Sequence, residues 1–281
     1  MVDTRRAPAL RAVAHAQDRF QPPFVLRSFG VGGWWISTPS FDAGSPATVA
    51  ELSRLITEVE AKADAIRAGR MLVLDVRGNH GGDSNYGLRI AAALWGQDYV
   101  DAMKPRPAAI DWRVSNENLR ALKFFLERER TQFGEGSGAA QPLSDVVNGM
   151  EAAAAQPLTW YRDVTPSGAP VTAAPERMAA KVYFLTDYAC FSACLDFADL
   201  VIHVPGVVHA GQETSADAIY IDNNALRMPS GNGWLGYSMK VNRGRARGNN
   251  ESYRPALPWS GSMEDTQAIE AWIGGLAGAA P

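Results

Sequence analysis

The sequence predicts an α/β fold whose buried strands end in glycine-rich turns. Three observations predict it. The segment Met71-Leu72-Val73-Leu74-Asp75-Val76 is almost continuously apolar, as a strand buried on both faces must be. A stretch at helical spacing precedes it: Val49, Leu52, Leu55, Ile56, Val59, Ala63 and Ile66. A second buried strand signal, Lys181-Val182-Tyr183-Phe184-Leu185-Thr186, is followed by another apolar helical stretch. Strand, helix and strand in alternation is the signature of the α/β class.

Taken in order, residues 1–20 read as a polar, Ala- and Arg-containing arm. Residues 24–38 read as strand, interrupted at Gly30, Gly32 and Gly33. Ser45-Pro46 opens the first long helix, because serine caps and proline suits the first helical position. Gly69 closes it. After residues 71–76 comes the turn Arg77-Gly78-Asn79-His80-Gly81-Gly82-Asp83-Ser84, then a helix over 86–95. Residues 97–178 break the alternation, and about 100–165 read as a helical insertion: 116–130 is charged and amphipathic, and 143–155 is Ala-rich. Beyond the second buried strand, 191–202 reads as helix and 207–210 as a short strand. Residues 219–228 and 234–241 read as a hairpin around Pro229-Ser230-Gly231-Asn232-Gly233. Residues 265–274 read as a closing helix. The whole of 1–281 reads as a single domain.

Composition excludes several function classes. The 281 residues are 46% hydrophobic and 20% charged, enough for a sizeable core. A net charge of −3 argues against a general binder of nucleic acid or anionic membranes. No apolar run approaches the roughly 20 residues of a membrane span. Arg5, Arg6 and Arg11 lie near the amino terminus without a continuous apolar segment, so no signal peptide is legible. Four scattered histidines and two cysteines give no zinc-site spacing. No cofactor is expected. Cys190 and Cys194, four apart in a segment read as helix, are expected to be free and buried. That spacing holds Cβ atoms about 5–6 Å apart, beyond the roughly 4 Å of a disulfide.

Two stretches can carry chemistry. The turn at 77–84 brings backbone N–H groups close to a bound group, because glycine has no Cβ in the way. It lacks the Gly-Lys-Ser/Thr ending of a phosphate loop and the Gly-x-Gly-x-x-Gly of a dinucleotide turn. What remains is a site for an anion, or for an oxygen that becomes anionic during reaction. The second stretch is Thr186-Asp187-Tyr188-Ala189-Cys190-Phe191-Ser192-Ala193-Cys194-Leu195-Asp196-Phe197. Here a serine stands between a strand end and a helix start, beside N–H groups with no intrahelical partner. That suits a nucleophile, since the attacked carbonyl oxygen gains charge beside those groups. A plain helix-capping serine would have the same sequence.

The Arg-Gly-Asn-x-Gly-Gly turn, followed about a hundred residues later by Ser-Ala-x-x-Asp-Phe, resembles the tail-specific (C-terminal processing) serine peptidase family. Its nearest likeness is to the tricorn-core and retinoid-binding-protein-like branch. Val208-His209-Ala210-Gly211-Gln212-Glu213-Thr214 is similar to the family's apolar-Gly-x-x-Thr strand end. Residues 245–255, Arg-Ala-Arg-Gly-Asn-Asn-Glu-Ser-Tyr-Arg-Pro, resemble the closing segment of small family members. The resemblance covers about 29–95 and 181–272, without a legible PDZ domain. It implies a crotonase- or Clp-peptidase-like spiralled ββα core, a peptide or protein substrate and a periplasmic or secreted location. It also implies Ser192 as nucleophile and an oxyanion hole of the Ala193 N–H with one from Gly81 or Gly82. A homo-oligomer is left open.

The sequence departs from the family at the general base. No lysine lies between Lys181 and Lys240, and Ser37 stands where the tricorn branch has an early-strand histidine. The tricorn glutamate falls near Asn249. The residues themselves put forward His80, whose imidazole type titrates near neutrality, and the carboxylates Glu251 and Asp217. His203 and His209 read as structural, Arg77 as an ion-pairing residue that holds the turn, and Asp75 as needing a partner if buried. Trp34, Trp35, Trp234 and Trp259 read as core or insertion contacts. The leading reading is a serine hydrolase. A pseudo-peptidase that binds peptide or a small hydrophobic ligand is the alternative, and a crotonase-type acyl-CoA enzyme a weaker third.

Overall fold

The computed structural model describes residues 20–104, 106–164 and 175–278. The arm read at the amino terminus lies almost entirely outside them. The chain forms two compact units. One comprises residues up to Gln97, Pro175–Ser215 and Tyr253 onward; the other comprises Asp98–Ala174 and Ala216–Ser252.

The first unit is built on a six-stranded sheet. The stretch 24–38 divides at its glycines into β1 (Val25–Phe29) and β2 (Gly33–Ser37), an antiparallel hairpin. Helix α1 (Pro46–Arg67) follows, with Ser45 accepting from the Thr48 N–H and Leu52, Leu55, Ile56, Val59 and Ile66 buried. Strand β3 (Met71–Asp75) is buried at every position, and α2 (Ser84–Trp95) leaves the glycine turn. After residue 175 come β6 (Lys181–Thr186), α6 (Ala193–Val201), β7 (Val208–Gly211), β10 (Leu257–Pro258) and α7 (Thr266–Gly278). The strand order is β1-β2-β3-β6-β7-β10. All pairings from β2 onward are parallel.

Burial on both faces explains the apolar strands. Met71, Val73, Tyr183 and Leu185 pack with Trp35, Ile269 and Ile273, so α7 covers one side. Leu72 and Phe184, alternating with them, are also fully buried. Parallel strands connected through helices put their carboxyl ends on one edge, where ligands bind in open α/β sheets.

The second unit holds α3 (Gln97–Met103, whose first residue belongs to the first unit), β4 (Ala109–Arg113), α4 (Asn116–Phe133), α5 (Ala140–Ala154), β5 (Trp160–Asp163), β8 (Tyr220–Arg227) and β9 (Trp234–Arg243). The hairpin β8–β9 forms where the turn residues place it. The segment read as a helical insertion also contains β4 and β5, which join β9 and β8 in a four-stranded antiparallel sheet. Both strands are short, and β4 pairs with β9 more than a hundred residues away, so neither leaves a local signal. Trp112, Leu122, Leu126, Val147, Met150 and Met239 form this unit's core. Trp35 lies in the core of the first unit, whereas Trp234 is 69% exposed on the hairpin.

His209 of β7 is buried, with Nε2 2.7 Å from Thr186 Oγ1. Burial disfavours the imidazolium and pushes its pKa down to about 4 from an ordinary 6.5. Between those values the unfolded chain binds a proton that the folded chain does not. The neutral ring therefore contributes stability above pH 6.5, and that contribution is lost as pH falls to about 4. Chemical denaturation across this range is expected to show a loss of about 3 kcal/mol from this group. His209→Gln should lose correspondingly less, and an identical pH dependence in the variant would contradict the assignment.

Candidate active site

The site begins where β3 stops. Asp75 is fully buried, and its carboxylate turns the chain back on itself by accepting the Arg77 N–H at 3.0 Å. The bend brings the Arg77 side chain onto the same carboxylate: Nε donates to Oδ1 at 2.9 Å and Nη2 to Oδ2 at 2.7 Å. Trp35 Nε1 donates to Oδ2 at 3.2 Å, and Arg77 Nη1 donates to the Met263 carbonyl at 2.6 Å. Both charges are therefore paired and hydrogen-bonded, which a buried ion pair requires.

Two side chains shape the glycine turn. Asn79 is fully buried. Its Nδ2 donates to the Thr38 carbonyl at 2.8 Å, and its Oδ1 accepts the Gly81 N–H at 2.8 Å. Its carbonyl accepts the Phe191 N–H at 3.3 Å. Asp187 takes the Gly78 N–H at 3.0 Å and the Ala189 N–H at 2.9 Å, so one carboxylate ties the turn after β3 to the turn after β6. Burial pushes the Asp187 carboxyl above its ordinary range, and the two N–H groups counter this in part. Phe41 closes the turn from the β2 side, its N–H donating to the Gly81 carbonyl and its carbonyl accepting the Asp83 N–H.

Gly81 then lies directly against the serine. A Cβ on Gly81 would stand 2.8 Å from Ser192 Cβ, 2.8 Å from the Ala193 nitrogen and 2.5 Å from the Phe191 carbonyl oxygen, and its φ is +89°. No side chain fits there. Gly82 is equally constrained on the other side, where a Cβ would fall 2.0 Å from the Phe41 carbonyl oxygen.

Ser192 does not cap α6 in the ordinary way. Its φ is 56° and its ψ −121°, and its side chain makes no capping hydrogen bond. Helix-capping serines sit in the extended region with Oγ turned onto an N–H of the first turn. A left-handed φ at a residue with a Cβ costs on the order of 1–3 kcal/mol and persists only where neighbours impose it. The Ser192 carbonyl accepts the Leu195 and Asp196 N–H groups, which anchors it to the helix. Among the described residues, the N–H groups of Ala193 and Gly82 have no acceptor, whereas that of Gly81 is taken by Asn79.

The cysteines differ from their sequence reading: Cys190 and Cys194 form a disulfide, with Cα atoms 5.2 Å apart. Helix α6 begins at Ala193, so Cys190 lies in the turn before it and helical spacing does not apply. The expectation of free thiols fails for that reason.

The structure distributes the other candidates. His80 is exposed on the glycine turn, next to Gly81. Ser37, at the early-strand histidine position, is buried at the end of β2, and its hydroxyl has no partner among the described residues. Asp217 and Glu251 belong to the second unit. Asp217 is buried and ion-paired with Arg245 at 2.8 Å and with Arg247. Glu251 accepts the Gly248 N–H at 2.6 Å, closing a turn. No group of three or more His, Cys, Asp or Glu among the described residues is arranged to hold a metal ion. No helix among them is long and apolar enough to cross a membrane.

Asn79, Asp187 and the disulfide are structural determinants of the site that the sequence reading gave no role. Asn and Asp in glycine-rich turns commonly accept nearby backbone N–H groups, which is the signal for the first two. Arg77→Met would leave the Asp75 carboxylate buried without its cation. It is expected to destabilise the protein by about 3–5 kcal/mol in urea unfolding. A loss below about 1 kcal/mol, the scale of an exposed pair, would contradict this account.

No family model matches the sequence, and no curated protein matches it. Solved structures do match. A mutant of CPAF aligns over 98% of this chain and 62% of its own length, with a TM-score of 0.51 and 11% identity. A putative peptidase from Parabacteroides merdae aligns over 95% of this chain and 69% of its own, with a TM-score of 0.44 and 17% identity. The photosystem II D1 C-terminal processing protease aligns over 88% of this chain and 49% of its own, with a TM-score of 0.39 and 12% identity. The chain thus spans about half to two-thirds of the length of most of these neighbours. In fold, this mixed α/β chain is similar to the CPAF mutant.

Proposed function

We propose that the chain is a serine-type hydrolase acting on peptides, with Ser192 as its nucleophile. The observation that carries this reading is the backbone of Ser192: left-handed, uncapped and pressed against Gly81. A strained turn between strand and helix presents a serine Oγ outward, the arrangement of a nucleophile elbow. Backbone strain retained at a serine between strand and helix points to a working site.

In this reading Ser192 Oγ attacks the substrate carbonyl and passes its proton to His80. The carbonyl oxygen becomes anionic between the N–H groups of Ala193 and Gly82. Fixed donors of this kind stabilise charge that appears only in the transition state. Collapse of the tetrahedral species expels the amine or alcohol, protonated by His80, and leaves an acyl-serine. Water, deprotonated by His80, then releases the acid. Asp217 and Glu251, committed to arginines and to a backbone N–H, hold their own loop. The peptide substrate rests on the four-motif sequence resemblance and on the peptidase folds the chain is similar to. The same likeness supports reading the six-stranded sheet as a crotonase-like core.

A fluorophosphonate probe followed by intact mass tests the chemistry. Wild type is expected to gain one adduct, located at Ser192, and Ser192→Ala none. No adduct on wild type, where a control serine peptidase labels, would overturn the proposal, as would hydrolysis surviving in Ser192→Ala. For the base, wild-type labelling should rise through the neutral range as an imidazole loses its proton. His80→Gln should label slowly and without that rise; an unchanged profile would remove His80 from the mechanism. Gly81→Ala must displace the serine turn, and labelling should fall about a hundredfold while circular dichroism shows a folded chain. Retained labelling would contradict the tight contact.

A further inference from the structure

The disulfide spans the serine. Cys190 precedes Ser192 by two residues and Cys194 follows it by two, and both are fully buried. A cross-link closing so short a loop restricts the unfolded chain little compared with one closing a long loop. Its effect is therefore local, on the turn it encloses.

The enclosed turn needs holding. Among the described residues the Ser192 side chain makes no capping hydrogen bond, and its φ of 56° is unfavourable for any residue with a Cβ. Relaxation to an ordinary cap would make Ser192 extended, and each extended residue lengthens the chain by up to about 3.3–3.6 Å. That movement would carry Cys190 away from Cys194, whose Cα atoms are held 5.2 Å apart. The end at Cys190 is itself fixed: its N–H donates to the Asp187 carbonyl and its carbonyl accepts the Ser215 N–H. The other end is fixed in the first turn of α6.

We infer that the Cys190–Cys194 disulfide is a positioning device that locks Ser192 in its strained, left-handed conformation and keeps the Ala193 N–H turned toward the reacting oxygen. This inference rests on the reading of Ser192 as nucleophile. The cysteines act through Ser192 and touch no substrate. Because both sulfurs are buried, the lock resists reductants while the chain is folded, and the oxidised form is the working form.

The test compares oxidised wild type, wild type reduced with a phosphine in mild urea and returned to buffer, and Cys190→Ala/Cys194→Ala. Each is read by the rate of fluorophosphonate labelling and by hydrogen exchange over residues 187–196. Reduction and the double substitution should lower the maximal labelling rate about a hundredfold and leave the probe concentration at half-maximal rate unchanged. Exchange should quicken in 190–195 alone, and reoxidation with oxidised glutathione should restore the rate. Equal labelling and equal exchange in all three forms would overturn the lock, as would two titratable thiols in the native protein. If the double variant fails to fold, reduced and reoxidised wild type decide. If oxidised wild type takes no label, the hydrolase reading fails, and exchange alone then judges the lock: faster exchange confined to 190–195 upholds it and unchanged exchange overturns it.

Discussion

Two turns meet at the carboxyl edge of a parallel sheet, and the space between them admits no Cβ. Gly81 lies against Ser192 and Ala193 so closely that only glycine can occupy its position. The other determinants of the site serve this contact. Asp75 and Arg77 set the direction in which β3 ends. Asn79 spans from the end of β2 to the serine turn, and Asp187 ties Gly78 to Ala189. These bonds join neighbours in space that are distant in sequence, so the site forms only when the sheet does.

The contact also explains how a strained serine persists. A serine at a left-handed φ would relax if its flanks could move. Here Cys190 and Cys194 are joined, the Phe191 N–H is held by Asn79, and the Ser192 carbonyl is bound by the first turn of α6. The surroundings fix the backbone, while the hydroxyl makes no capping hydrogen bond among the described residues. A structural serine would show the reverse, with its hydroxyl engaged and its backbone at ease. The N–H groups of Ala193 and Gly82, which have no acceptor among the described residues, lie at and next to this contact. This pairing of fixed backbone with unused donors is the basis for reading the site as catalytic.

Much of this was legible in the sequence because it is local. Continuous apolar runs mark β3 and β6, helical spacing marks α1, and the glycine turn and Ser192 stand at the strand ends where they are found. What escaped is non-local. β4 and β5 are short, pair with each other across about fifty residues, and β4 also pairs with the distant β9, so neither periodicity nor composition marks them. The disulfide is not legible because helical spacing does not apply to the pair: the helix begins at Ala193, so Cys190 lies in the turn before it and Cys194 in its first turn. Asp187 and Asn79 looked like turn residues, and their roles depend on which turn faces which. The base is the least legible part, since Ser37 stands where a histidine is expected and His80 was marked only by its place among the glycines.

The central claim is that Ser192 faces an oxyanion hole made by Ala193 and Gly82. A crystal structure of the phosphonylated protein addresses it directly, because the phosphoryl oxygen occupies the place of the tetrahedral oxyanion. The account predicts that oxygen at about 2.7–3.1 Å from both the Ala193 and Gly82 nitrogens, with Ser192 still at its left-handed φ. An adduct oxygen pointing into solvent, or a Ser192 relaxed into an extended cap, would contradict it.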